Sequence, residues 1–433
     1  MSRVDHLVIV AGGMGTRLAT VHADIPKVLV PIGGKPLLGH HLELARRCGV
    51  REVTVFAGHL AEAIARFLGD GSEFGLHARV RVEETPLGTA GAVLAHLEEL
   101  PENFIVLYGD VMTSADLGTI AAAHVARDAD FTAMVHPNDH PLDSDLLETD
   151  AEGRVSAIHA YPHQPGSDLP NLVNAALYVV RRDALQRFSP PRKLDFVKDV
   201  MAQLLAAGGR VFAHRSCEYL KDMGTPARLA QVEADFAAGR IVSHGVKLPA
   251  VFLDRDGTLN VEKGHLRRKE DLELVAGAAA ALRQLRRAGF RLVLLTNQPV
   301  IARGEATEAD VAAIHRRLEW ELGVGGAYLD AIYVCPHHPD AGFPGERAAL
   351  KVACDCRKPG VGLFRQACAD LGIDAARSWM VGDHERDVEM ARRAGVRSIL
   401  VGGGRSAVRP DHTAKDIVAA AELIAPRREG VAA

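Results

Sequence analysis

The chain has 433 residues, of which 48% are hydrophobic and 24% charged, and its formal net charge is −4. That length excludes a single hydrophobic core and predicts two or three domains, while the near-balanced total charge implies no surface organised to bind polyanions, so nucleic acid is not an expected partner. No run approaches the roughly 20 apolar residues of a membrane span, and the opening Met1-Ser2-Arg3-Val4-Asp5-His6 lacks the apolar core of a signal peptide; a cytoplasmic protein without membrane insertion is expected.

In chain order, segments 6–10, 52–56, 104–108, 130–135 and 174–180 read as strands, and 36–48 and 60–67 carry apolar residues at helical period. A helix over about 226–238 precedes Gly239-Arg240, which sets a first domain at 1–240, a linker at 241–248 and a second domain at 249–433. The second half repeats the rhythm, with strands at 250–253, 291–296, 331–334, 379–381 and 398–401 and helices at 276–288, 308–322 and 414–424. The expected fold class is α/β throughout, as two doubly wound, mainly parallel sheets that gather ligands at the carboxyl ends of their strands.

The first strand opens into Ala11-Gly12-Gly13-Met14-Gly15-Thr16-Arg17-Leu18, followed by Ile25-Pro26-Lys27 and by Pro31-Ile32-Gly33-Gly34-Lys35-Pro36. Glycines let backbone N–H groups approach phosphates, and a helix start favours negative charge. The loop has neither the Gly-Lys-Ser/Thr of a Walker loop nor the Gly-x-Gly-x-x-Gly dinucleotide spacing, so Arg17 and Lys27 carry its specificity. This combination resembles the sugar-1-phosphate nucleotidyltransferases, and the match runs in order to Gly224-Thr225-Pro226. The resemblance implies a Rossmann-like domain in which Gly12, Gly13, Gly15, Thr16, Glu84, Gly88 and Thr89 bind the nucleotide and Asn174 contacts the sugar. It also implies that Asp110 and Asp222 bind Mg2+ while Arg17 and Lys27 neutralise the triphosphate, the sugar-phosphate oxygen being the nucleophile. One departure stands out: many members hold the sugar phosphate with Glu-Lys where this chain reads His159-Ala160-Tyr161-Pro162-His163. Either Lys221 or Lys193 supplies the anchor, or the transferase is weakened.

In the second half, Val251-Phe252-Leu253 runs into Asp254-Arg255-Asp256-Gly257-Thr258. Side chains two apart on a strand share a face, so Asp254 and Asp256 can converge on one metal and one phosphoryl group, although alone the motif also fits a surface turn. Thr296-Asn297-Gln298, Arg357-Lys358 and Gly382-Asp383 with Asp387 follow in order, and the set resembles the haloacid-dehalogenase-like phosphohydrolases. That resemblance implies a Rossmannoid fold with Asp254 as nucleophile, Asp256 as general acid/base, and Thr296 and Lys358 holding the phosphoryl group. Mg2+ would sit on Asp254, Asp383 and the backbone carbonyl of Asp256, while Asn297, Gln298, Arg303 and Arg357 contact substrate. Asp387 has two open readings, one in the site and one as a helix-start carboxylate.

Cys335, His337, Cys354 and Cys356 offer three thiolates and one imidazole, a set that suits tetrahedral structural Zn2+ in a reducing compartment. Such a loop resembles the heptose 1,7-bisphosphate phosphatases and their histidinol-phosphatase relatives, with Pro299-Val300 departing from the Ser-Gly usual in the heptose enzymes. Together the resemblances imply a bifunctional enzyme of sugar phosphates and NTP, with GTP the leading donor, that makes a heptose 1-phosphate and then activates it. Two alternatives stay open: a histidinol-phosphatase-like domain fused to a hexose-1-phosphate transferase, and a phosphatase with a non-catalytic nucleotide- or sugar-binding module. Self-association is an expectation by family analogy alone.

Overall fold

The computed structural model describes residues 4–12, 25–58, 60–188, 192–242 and 245–426. The chain divides into two units, and the second comprises Gly245–Ala433 together with two stretches of the first half, Pro137–Leu146 and Tyr161–Leu172. Residues 245–248 thus group with the second unit, where Leu248 N–H donates to Gly372 O at 3.2 Å.

The first unit is built on a mixed sheet of nine strands. His6–Ala11 lies at its centre, parallel to Glu52–Ala57 on one side and Asn103–Tyr108 on the other. Both sheet faces are covered, since Leu7, Val8 and Ile9 are all fully buried, and a strand shielded on both sides reads as an unbroken apolar run. The helices Leu37–Arg47 and Ala61–Leu68 cover one face with Leu38, Leu42, Ile64 and Leu68. The expected strand at 174–180 forms as Val173–Arg181, antiparallel to both Asn103–Tyr108 and Phe131–His136. Four more strands, His77–Val82, Leu146–Thr149, Val155–His159 and Val211–Arg215, complete the sheet and were not foreseen. His77–Val82 alternates Ala78, Val80 and Val82 with Arg79 and Arg81 at the sheet edge, where few apolar residues are needed.

The second unit holds a six-stranded parallel sheet in the order Ala331–Cys335, Arg291–Asn297, Ala250–Leu253, Trp379–Gly382, Arg397–Leu400, His412–Thr413. Alternation along the strands sorts its core into two layers. Val251, Leu253, Leu292 and Leu294 pack on one face, while Ala250, Phe252, Val293 and Leu295 pack on the other. Glu308–Val324 starts at a capping box, Asp310 N–H donating to Thr307 Oγ1 at 3.1 Å and Thr307 N–H to Asp310 Oδ2 at 2.8 Å. The helix expected from 414 begins at Ile417, because Asp416 caps it and His412–Thr413 extend the sheet. Among the described residues no helix is long and apolar enough to cross a membrane.

Candidate active sites

In the second unit Ala250–Leu253 is the fully buried strand between Arg291–Asn297 and Trp379–Gly382, so the residues that follow all three emerge together. Asp254 N–H still donates to Val381 O at 3.0 Å, after which Gly257, at φ +70°, turns the chain away. A Cβ on Gly257 would stand 2.1 Å from Asp383 Oδ2, so glycine is required there by conformation and by space.

Asp254, Asp383 and Asp387 converge, offering carboxylate oxygens within 4.8 Å of one another. Asp383 Oδ1 is shut from water with no hydrogen-bond partner in the protein, as suits a ligand atom awaiting a cation. Burial lifts Asp383 to a pKa of about 6, with the Asp387 charge adding to it, and burial pushes Asp254 up as well. Such carboxylates fit a divalent cation, whose charge would keep them ionised. Lys358 Nζ lies 2.9 Å from Asp254 Oδ1 and 2.7 Å from Asp387 Oδ1. Asp387 thus lies in the carboxylate cluster, and its Oδ2 also accepts His384 N–H at 3.1 Å at the start of Glu385–Ala394.

Thr296 is buried, and its Oγ1 accepts Gln298 Nε2 at 2.8 Å. The two amides expected to touch substrate are engaged elsewhere. Asn297 Nδ2 donates to Lys358 O at 3.0 Å while its Oδ1 accepts Lys358 N–H at 2.9 Å, so it holds the lysine loop. Gln298 donates to Asp256 Oδ2 at 3.0 Å and accepts Arg255 Nη2 at 3.0 Å. Arg303 reaches His265 at 2.9 Å and His338 at 3.2 Å, and Arg357 Nη1 donates to His337 O at 3.2 Å. Thr258, not singled out from the sequence, has a buried Oγ1 without a protein partner; its place in Asp-Gly-Thr was the available signal.

Cys335, His337, Cys354 and Cys356 form a second cluster within 4.8 Å, with Cys356 Sγ 3.3 Å from Cys335 Sγ, 3.2 Å from Cys354 Sγ and 3.2 Å from His337 Nδ1. All six cysteines are free thiols. Three sulfurs and a ring nitrogen around one point match a tetrahedral zinc set, and Arg357 and Lys358 follow Cys356 directly.

In the first unit Gly13, Gly15, Thr16 and Arg17 lie outside the described residues. Gly12 directly follows the central strand, and a Cβ there would stand 1.9 Å from Glu83 Oε2. Glu83 therefore abuts Gly12, whereas Glu84 is exposed. Asp110 follows the neighbouring strand and pairs with Lys27 Nζ at 3.4 Å. Asp222 sits opposite Val111 in an antiparallel ladder, and Met223 N–H donates to Asp110 O at 2.8 Å, so two carboxylates far apart in sequence occupy adjoining positions. Arg228 grips Asp222 with Nη1 at 2.9 and 2.8 Å from its two oxygens, a partner that helix spacing from Pro226 could have suggested.

Gly88, at φ +77°, faces Leu194 O, and Thr89 donates to Asp195 Oδ2 at 2.9 Å, so this segment is tied to 194–196. Asn174 donates to Tyr178 OH at 2.9 Å and keeps a buried Oδ1 without a protein partner, beside a bulge where Ala176 takes φ +53°. Of the expected anchors, Lys193 is exposed and Lys221 stands beside Asp222, opposite Met112. His159 Nε2 lies 3.1 Å from Glu148.

Residues 6–239 match the nucleotidyl transferase family model, and residues 355–425 match a HAD-hydrolase-like model. The D-glycero-beta-D-manno-heptose-1,7-bisphosphate 7-phosphatase of Haemophilus ducreyi is 42% identical over 171 residues, 39% of this chain and 91% of that protein. Its counterpart from Yersinia pestis is 41% identical over 172 residues, 40% of this chain and 89% of that protein. The crystal structure of HddC from Yersinia pseudotuberculosis, 25% identical, covers 54% of this chain and 100% of its own, with a TM-score of 0.48. The chain is thus an enzyme with a phosphatase and a nucleotidyltransferase on one polypeptide, and it belongs both to the nucleotidyl transferase family and to the heptose-bisphosphate 7-phosphatases of the HAD-like hydrolases.

Proposed function

We propose that the second unit removes the 7-phosphate of D-glycero-D-manno-heptose 1,7-bisphosphate and that the first unit joins the resulting 1-phosphate to a nucleotide, with GTP as donor. The observation that carries the phosphatase reading is the buried Asp254–Lys358–Asp387 array beside Asp383, joined to a Cys/His cluster one residue from Arg357. Support for the substrate comes from relatives named for that bisphosphate. The pairing of activities makes chemical sense because a sugar 1-phosphate is what a nucleotidyltransferase consumes.

In this reading an Asp254 oxygen attacks phosphorus, the bond from phosphorus to the C7 oxygen breaks, and the Asp256 carboxyl protonates that oxygen. Asp256 then takes a proton from water as it attacks the aspartyl-phosphate, releasing phosphate and restoring Asp254. Thr296 and Lys358 bind the phosphoryl oxygens throughout. Asp254, Asp383 and the Asp256 carbonyl would hold Mg2+, which would supply the charge neutralisation that makes a phosphate dianion approachable. Cys335, His337, Cys354 and Cys356 would hold a structural zinc ion, which would fix the loop that carries Arg357 and Lys358.

In the first unit the sugar-phosphate oxygen attacks the α-phosphorus and pyrophosphate leaves. Asp110 and Asp222 would hold Mg2+ there, Lys27 neutralises the triphosphate, and Lys221 takes the place of the missing Glu-Lys lysine. The Gly12 loop with Arg17 completes the nucleotide site.

The test supplies each anomer of the bisphosphate with Mg2+ and each NTP to the full chain, following phosphate and pyrophosphate separately. Phosphate release without NTP, and pyrophosphate release that needs GTP and follows phosphate release, are expected. Phosphate release from histidinol phosphate alone would exclude the heptose substrate, and the absence of pyrophosphate release with every NTP and sugar 1-phosphate would exclude the transferase reaction.

A further inference from the structure

Asp256 lies two residues beyond Asp254, yet its carboxylate enters a network of its own. Arg255 donates from Nη2 to Asp256 Oδ2 at 2.9 Å and from Nε to Oδ1 at 3.2 Å. Asn260 Nδ2 reaches Oδ1 at 3.0 Å and Gln298 Nε2 reaches Oδ2 at 3.0 Å. Arg255 is 0% exposed, a rare condition for a guanidinium, and nothing in the phosphatase chemistry above uses it. Its Nη2 is held further by Gln298 Oε1 at 3.0 Å, and its Nη1 meets His315 Nε2 at 3.2 Å.

His315 belongs to Glu308–Val324, distant in sequence from every motif of the site. A guanidinium donates and cannot accept, so the His315 nitrogen facing it is the acceptor and the ring is neutral. Burial, reinforced by the Arg255 charge, holds the His315 pKa down at about 3, in keeping with that assignment. A protonated ring would set two cations against each other in a buried place, and an apolar one would leave a buried N–H unpaired. Only a neutral acceptor fixes both ends of the arginine fork.

We propose that His315 is a positioning residue for the Asp256 carboxyl, acting through Arg255, whose guanidinium it locks so that Asp256 is aimed at the bridging oxygen of the phosphate ester. The inference rests on the phosphatase reading. The step it serves is the proton transfer to the leaving oxygen as the Asp254–phosphorus bond forms and the phosphorus–oxygen bond breaks. Misplacing a proton donor by a fraction of an ångström lowers that step and spares reactions that do not need it.

The test uses the full chain with His315→Leu and His315→Gln, comparing kcat/KM for heptose bisphosphate and for p-nitrophenyl phosphate. The parameter kcat/KM covers events through departure of the leaving group, and nitrophenolate leaves without a proton whereas a sugar alkoxide does not. Their ratio is also independent of the fraction of protein folded. For His315→Leu the alkyl-to-aryl ratio should fall ~10-fold or more, part of the ~100- to 10,000-fold that a general acid contributes. His315→Gln, whose side-chain oxygen can accept from Arg255, should restore it. If the aryl ester is turned over too slowly, the same two variants are compared on the alkyl ester per folded molecule, the folded fraction being taken from thermal melts. An unchanged ratio, or rate per folded molecule, in His315→Leu would overturn the proposal, as would an equal fall in both variants. Inactivity of the unaltered protein on both esters would overturn the phosphatase reading itself.

Discussion

Lys358 Nζ lies 2.9 Å from Asp254 Oδ1, with the two side chains 1% and 6% exposed. Removing one partner of a buried ion pair strands the other, at a typical cost of about 3–5 kcal/mol. Lys358→Met should therefore lower both the melting temperature and phosphate release, the latter by ~100-fold or more as phosphoryl charge loses its cation. Asp254→Asn separates the two effects, because Lys358 keeps Asp387 Oδ1 at 2.7 Å and is not stranded. Burial disfavours its charged form, so the amide should leave the melting temperature unchanged or raised while abolishing phosphate release and the phosphoenzyme. Calorimetry and a phosphate assay check both variants.

The four-donor cluster makes a prediction about metal content. Thiols 3.2–3.3 Å apart repel one another once ionised, and a zinc ion turns that repulsion into cohesion. Purified protein should contain one zinc per chain, by elemental analysis. Cys354→Ala or a strong chelator should remove the metal, lower the melting temperature and then reduce phosphate release. Full stability and activity in zinc-free protein would exclude this role.

Arg228 holds both oxygens of Asp222, and the consequence concerns the transferase alone. Asp222→Asn should stop pyrophosphate release and leave phosphate release intact. Arg228→Lys keeps the charge but loses the planar fork, and should slow pyrophosphate release ~10-fold, within the range for partners that orient metal ligands. Parallel assays on one preparation distinguish the sites.

His41 sets an acid limit on the first unit. Its Nε2 donates to Val111 O at 2.8 Å, its Nδ1 is buried without a partner, and burial holds its pKa down at about 4. An unfolded histidine takes up a proton below about pH 6.5, whereas this one resists until about 4. Its contribution is therefore complete above pH 6.5 and is lost as pH falls from 6.5 to 4, by up to ~3 kcal/mol. His6 and His124, also held near 4 mainly by burial, act in the same direction. Denaturant melts between pH 7.5 and 4.5 should show the decline, and His41→Gln should flatten it.

The α/β class, the strands that lead to Asp110, Asp254, Thr296 and Asp383, and the membership of the Cys335 cluster could all be read from the residues in order. These were legible because a strand covered on both faces needs an unbroken apolar run, and because acid, lysine and cysteine motifs stand at those strand ends. Edge strands such as His77–Val82 were missed because a half-covered strand needs few apolar residues. What the side chains touch once there follows from packing. Asn297 and Gln298 turn to Lys358 and Asp256, Asp387 meets a helix start and a lysine together, and Glu83, Arg228 and His315 come to lie against Gly12, Asp222 and Arg255. Spacing along a strand sets which face a residue takes, but a hydrogen-bond partner dozens of residues away is chosen only when packing brings it within about 3 Å.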